Sequence, residues 1–198
     1  MRSPKILFLS PYPFGKAPSQ RLKFEQYYTL FEDNGFELQT SSFIDDDFWE
    51  IIYKPGFLLQ KIEGTVRGYL RRIKDLWRIR QFDIVYIHLW VTPLGPPIFE
   101  WLVKKLAKKI VYDIDDMIYL NNTQKRFIDR IKGRNKPIAL MRCADAVIVC
   151  SPFLEKFAKQ YNQAVTTILA SYNTAATAPK THDAKSLTTI GWTGTHST

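Results

Sequence analysis

Short apolar runs alternate with helix-type stretches along nearly the whole chain, and this alternation restricts the fold more than any other feature. The runs are KILFLS (5–10), NGFELQTSSF (34–43), DIVYIHLW (83–90), KIVYDI (109–114), DAVIVC (145–150) and VTTILA (165–170). Most are rich in β-branched and aromatic residues and too short to be buried helices. Between them lie residues 19–34, 57–80, 98–108, 123–142 and 151–161, which read as helices. Strands separated by helical crossovers pair in parallel, and the crossovers cover both faces of the sheet. The expected fold is α/β: a Rossmann-like, doubly wound, mostly parallel sheet with helices on both faces. Ser19 is placed to cap the first helix and Asn34-Gly35 to stop it.

The alternation holds to about residue 173. Residues 174–186 are small, polar and proline-containing, the composition of a linker. LTTIGWTGTHST (187–198) then opens a new strand and a glycine turn, so the expected division is a domain over 1–173, a linker, and the first strand of a further domain. The two cysteines, Cys143 and Cys150, lack metal-type spacing and read as free thiols of a reducing compartment. The N-terminal apolar run is too short for a signal peptide, and no window reaches the length of a membrane span. A cytoplasmic location is expected.

The net charge of +9 points to anionic partners: nucleic acid, anionic lipid or phosphorylated ligands. No RRM, KH or helix-turn-helix pattern accompanies the charge, so nucleic acid is not an expected partner. The longest helix, 57–80, carries an apolar stripe of Leu58, Ile62, Val66, Tyr69, Ile73 and Leu76. Basic residues (Lys61, Arg67, Arg71, Arg72, Lys74, Arg78 and Arg80) take the other positions. A crossover helix must cover the sheet, so the stripe is expected to face inward and the cations outward. An outward basic face would suit peripheral contact with an anionic membrane surface.

In open α/β sheets ligands bind beyond the carboxyl ends of the strands. PYPFGKAPSQR, HLWVTP and DIDDM each follow a strand directly and should meet there. Acids at a strand end need partners. Three readings stand for Asp113, Asp115 and Asp116: a divalent metal site, a general base or binder of sugar hydroxyls, and ordinary capping and ion pairing. In the first loop, Gly15, Lys16, Ser19 and Arg21 offer a backbone and cations for an anion, although neither a Walker loop nor G-x-G-x-x-G is present. His88, at the end of its strand, reads either as a packed core residue or as a residue of the crevice rim. No Ser-His-Asp or Cys-His pair is evident, so acyl transfer has little support.

In order along the chain, KILFLSPYPF, PSQRLKFEQYYTLFEDNGFEL, DIVYIHLW, VYDIDD, CADAVIVCSPFLEKFA and IGWTGTHST resemble segments of GT-B glycosyltransferases of the group 1, or family 4, kind. The first five resemble that family's N-terminal domain and the last the opening of its donor-binding domain. The resemblance places His88 on the family histidine. Asp115 and Asp116 stand where many relatives carry histidine-aspartate. It implies a nucleotide-sugar donor as substrate, a glycan or lipid-linked acceptor, no cofactor and no metal. By resemblance His88, Asp115 and Asp116 line the reacting centre, while Gly15, Lys16, Ser19, Arg21 and Asp113 serve donor phosphate or acceptor. The donor-binding domain would supply the groups that hold the nucleotide-sugar, so residues 1–198 alone are expected to be inactive. The alternative is a stand-alone Rossmann-like module binding a nucleotide or anion.

Overall fold

β1 (Lys5–Ser10) is an interior strand of the sheet, buried from Ile6 onward. The computed structural model describes residues 2–117, 133 and 135–171. β1 pairs in parallel with β2 (Glu37–Ser42) on one side and β3 (Ile84–His88) on the other. β4 (Ile110–Ile114), β5 (Ala146–Val149) and β6 (Val165–Thr167) continue the sheet from β3, giving the order β2-β1-β3-β4-β5-β6. All five pairings are parallel. The expected Rossmann-like architecture is present. The proposed linker, the strand over 187–198 and most of the helix expected over 123–142 lie outside the described residues.

Successive side chains of a strand point to opposite faces, and the core divides accordingly. Ile6, Phe8 and Tyr86 pack with Phe24, Tyr28 and Phe31 on one face. Leu7, Leu9, Val85, Ile87, Tyr112 and Val147 belong to the larger cluster on the other. Cys143 and Cys150 are free and half-buried.

The first helix differs from expectation. α1 (Pro18–Lys23) and α2 (Tyr28–Asp33) are separated by a 3₁₀ turn over Glu25–Tyr27. Ala17 occupies the cap position without a side-chain bond, and Ser19 sits inside the first turn, so Ser19 caps nothing. The break has a tertiary cause. Phe24 leaves helical geometry (φ −144°) and is buried, stacking on Phe8 at 5.5 Å. α3 (Asp46–Ile52) is a helix that periodicity does not announce, being only seven residues long. Asp45 caps it by accepting from Phe48 N–H.

α4 (Leu58–Arg78) overturns the sequence expectation most clearly. Most of the apolar stripe faces outward: Leu58, Ile62, Val66 and Ile73 are exposed, together with Leu59, Leu70 and Trp77, whereas Tyr69 and Leu76 are half-buried against the core as expected. The inward face is Gly64, Gly68, Arg72 and Asp75. The glycines let the helix backbone approach α3 and the loop before it. A Cβ at Gly64 would lie 2.5 Å from the Phe48 ring, and one at Gly68 2.6 Å from Phe43. Arg72, 1% exposed, then reaches the carboxyl edge of the sheet. Its guanidinium donates to Ser10 O (2.8 Å), Ser41 O (3.0 Å) and Val91 O (2.8 Å), and pairs with Asp75 at 3.1 Å. One side chain thus satisfies carbonyls leaving β1, β2 and the loop beyond β3. In an exposed helix interior, glycine to alanine gains about 1 kcal/mol. Here Gly68→Ala should instead cost about 1–3 kcal/mol through overpacking. Urea unfolding measures it, and a raised midpoint would contradict the close approach.

α5 (Ile98–Leu106), α6 (Lys136–Cys143) and α7 (Pro152–Ala158) complete the described elements. Tyr69 of α4 meets Phe99 of α5 with ring centroids 5.6 Å apart. Lys136, at the start of α6, donates to Thr92 O (2.9 Å) and Leu94 O (3.0 Å), and so ties down the loop after β3.

Candidate functional site

β3 stops at His88 because the next residue turns sharply. Leu89 takes a left-handed conformation (φ 59°), and Trp90 N–H donates back to His88 O at 2.7 Å. Bulky residues rarely occupy that region, and such strain tends to gather at functional sites. This is also why the strand is shorter than the run DIVYIHLW suggests. The β3–β4 register sets His88 directly opposite Asp113. His88 Nδ1 and Asp113 Oδ2 are 2.9 Å apart. The carboxylate accepts, so Nδ1 carries the proton, and the ring is oriented as a base is oriented by an acid. Lys23, the last residue of α1, places Nζ 2.9 Å from Asp113 Oδ1. All three side chains are buried, and the Phe24 ring packs edge-on against His88 at 5.3 Å.

His88 is therefore a packed core residue and not a residue of the crevice rim. It is fully enclosed, but inside a charged cluster. Its Nε2 has no hydrogen-bond partner among the described residues. Burial pushes the Asp113 carboxyl up, but the His88 hydrogen bond and the charges of His88 and Lys23 outweigh it and hold the group below the usual carboxylate range.

The three acids do not act as a set. Asp113 is occupied by His88 and Lys23. Asp115 is half-buried, and its Oδ1 lacks a partner among the described residues. Burial pushes its carboxyl up, and the neighbouring charges of Asp113 and Asp116 push the same way against His88 and Lys23. Asp116 is exposed. Cys150, following β5, donates its thiol to Asp115 O at 3.1 Å and fixes the loop backbone. Among the described residues no group of three or more His, Cys, Asp and Glu is arranged to hold a metal ion.

The loop after β1 is organised by residues that sequence reasoning did not single out. Gln20 bonds both backbone groups of Tyr12, accepting at 2.9 Å and donating at 3.0 Å. Glu25 accepts from Gln20 Nε2 at 3.0 Å and from Gly15 N–H at 2.9 Å. The Gly15 amide is thus committed to a buried carboxylate. Lys16 is exposed and approaches Glu50 only at 3.9 Å, Ser19 is half-buried, and Arg21 is exposed with no ion pair to a described residue. Lys23 is the other residue missed. Its only sequence signal is its place on the helix that enters from β1, where a lysine ordinarily reads as solvated.

Compared with models of known protein families and with curated proteins, the chain matches none.

Proposed function

We propose that this chain is the acceptor-side half of a nucleotide-sugar glycosyltransferase acting on a glycan or lipid-linked acceptor. The observation that carries the reading is the buried Lys23–Asp113–His88 cluster at the carboxyl edge of an all-parallel sheet, with Asp115 beside it. The ordered motifs that resemble GT-B enzymes support it. In this reading the acceptor hydroxyl oxygen bonds the anomeric carbon while the bond from that carbon to the donor phosphate breaks. The hydroxyl proton passes to Asp115, whose carboxyl is pushed above its ordinary value by burial, making it a stronger base than a solvated carboxylate. His88, held by Asp113, supplies the oriented imidazole beside it. Asp116 binds acceptor hydroxyls. Lys16 and Arg21 offer positive charge to the departing nucleoside diphosphate. Positioning by a donor-binding domain is the remaining requirement.

A donor screen tests the reading. Residues 1–198 should turn over no nucleotide-sugar, whereas the protein carrying a donor-binding domain after residue 187 should transfer sugar to a glycan acceptor. Transfer by 1–198 alone would overturn the division of labour. Nucleotide binding without transfer in the two-domain protein would favour a binding module.

A further inference from the structure

We infer that the outward face of α4 and α5 seats the protein on an anionic membrane surface by shallow insertion of its apolar side chains. Docking of this kind stands apart from the transferase reading, and its test reads binding rather than turnover.

The face is large and apolar where a solvated helix would be polar. Leu59 is 79% exposed and Trp77 86% exposed, at opposite ends of α4, with Ile62, Val66 and Leu70 between them. α5 lies alongside and adds exposed Ile98, Trp101 and Leu102. Contiguous apolar surface on this scale marks an interaction site. The orientation is set by the opposite face of α4, where two glycines leave no room for a Cβ and Arg72 bonds the edge of the sheet.

Charge selects the occupant. Among the acids of the two helices, Asp75 and Glu100 are buried and Glu63 is paired with Arg67 at 2.7 Å. Lys74, Arg80 and Lys105 form no ion pair with any described residue. The outer face therefore presents apolar side chains bordered by uncompensated cations. An anionic lipid surface complements both features, and each basic residue near it strengthens binding about fivefold. A second copy of the chain would bring like charges together. Trp77, Trp101 and Tyr53, all exposed, have the amphipathic rings favoured at headgroup depth. No described helix is long and apolar enough to cross a membrane, so α4 would lie in the interface plane. A cavity of about 230 Å³ lined by Tyr12, Phe43, Phe48, Tyr53, Trp90 and Leu94 opens beside Tyr53 and reaches the residues that leave β1 and β3. Docking by this face would set that cavity near the bilayer.

Co-sedimentation of residues 1–198 with vesicles of phosphatidylcholine and phosphatidylglycerol decides the matter. Binding is expected to be at least about tenfold stronger than to phosphatidylcholine alone, and to weaken without vanishing at high salt. Leu59→Glu with Trp77→Glu should abolish it while leaving the circular dichroism and melting temperature unchanged, since both side chains are exposed. Lys74→Glu with Lys105→Glu should lower it at least about tenfold. Unchanged binding in the Leu59→Glu, Trp77→Glu variant would reduce the effect to surface charge and overturn insertion. Absence of binding to anionic vesicles at low salt would overturn docking altogether. So would a dimer in sedimentation equilibrium that the same variant dissociates, because a second copy would then cover the face.

Discussion

Replacing Arg72 with methionine should lower stability by about 3–5 kcal/mol, as expected when one partner of a buried ion pair is removed. Arg72 is buried, yet it donates to two strand carbonyls, Ser10 and Ser41, and to the loop carbonyl of Val91, and pairs with Asp75. Burial pushes its guanidinium down to about 10, against the opposing charge of Asp75, and it stays charged at neutral pH. For a domain of this size such a loss corresponds to a fall in melting temperature of about 6–20 °C. Adding Asp75→Leu to Arg72→Met removes the orphaned acid but not the orphaned carbonyls of Ser10, Ser41 and Val91. It also strands Arg78, which Asp75 holds at 2.7 Å. The double variant should therefore recover only part of the loss. A single variant within 1 kcal/mol of wild type, roughly the effect of one ordinary hydrogen bond, would show that the carbonyl edge does not depend on this residue.

Asp113→Asn should be comparably costly, about 3–5 kcal/mol, because it leaves the Lys23 ammonium buried without its counter-charge. The wild-type protein should also show an acid limb that this variant lacks. Asp113 titrates below its ordinary value in the folded state. Its contribution is therefore complete above the unfolded carboxylate value of about 4 and is lost as pH falls through the lower folded value. The companion variant Lys23→Met, Asp113→Asn removes both charges and should regain most of the stability. If the transferase reading holds, that double variant and His88→Ala should each still lose about 10²-fold or more in sugar transfer, since the imidazole is no longer present or no longer oriented. Stability measured by urea and transfer measured in the two-domain protein separate the two effects. Full transfer by the well-folded double variant would remove the cluster from the mechanism.

The local pattern of the chain carries the sheet. β-branched runs such as KILFLS and KIVYDI have one economical use when helices intervene, and all-parallel pairing follows from the crossovers. The site was half legible for the same reason. His88 and Asp113 each lie at or near the end of their run, so parallel pairing brings them to one edge, and a one-residue difference in register would have separated them. The identity of Asp113's second partner was not legible, because Lys23 lies ninety residues away and its burial depends on the break at Phe24, which packing on Phe8 imposes. The orientation of α4 shows most plainly what local pattern leaves undecided. Its stripe predicts an inward apolar face, since burial of such residues is ordinarily the main driving force. Only the folded molecule supplies the competing terms: aromatic rings of Phe43 and Phe48 that fit against bare glycine backbone, and three carbonyls, two of strands and one of the loop after β3, that require a buried donor. Those groups come together from distant parts of the chain. Once Arg72 and the two glycines meet them, most of the apolar stripe faces out, with Tyr69 and Leu76 left against the core.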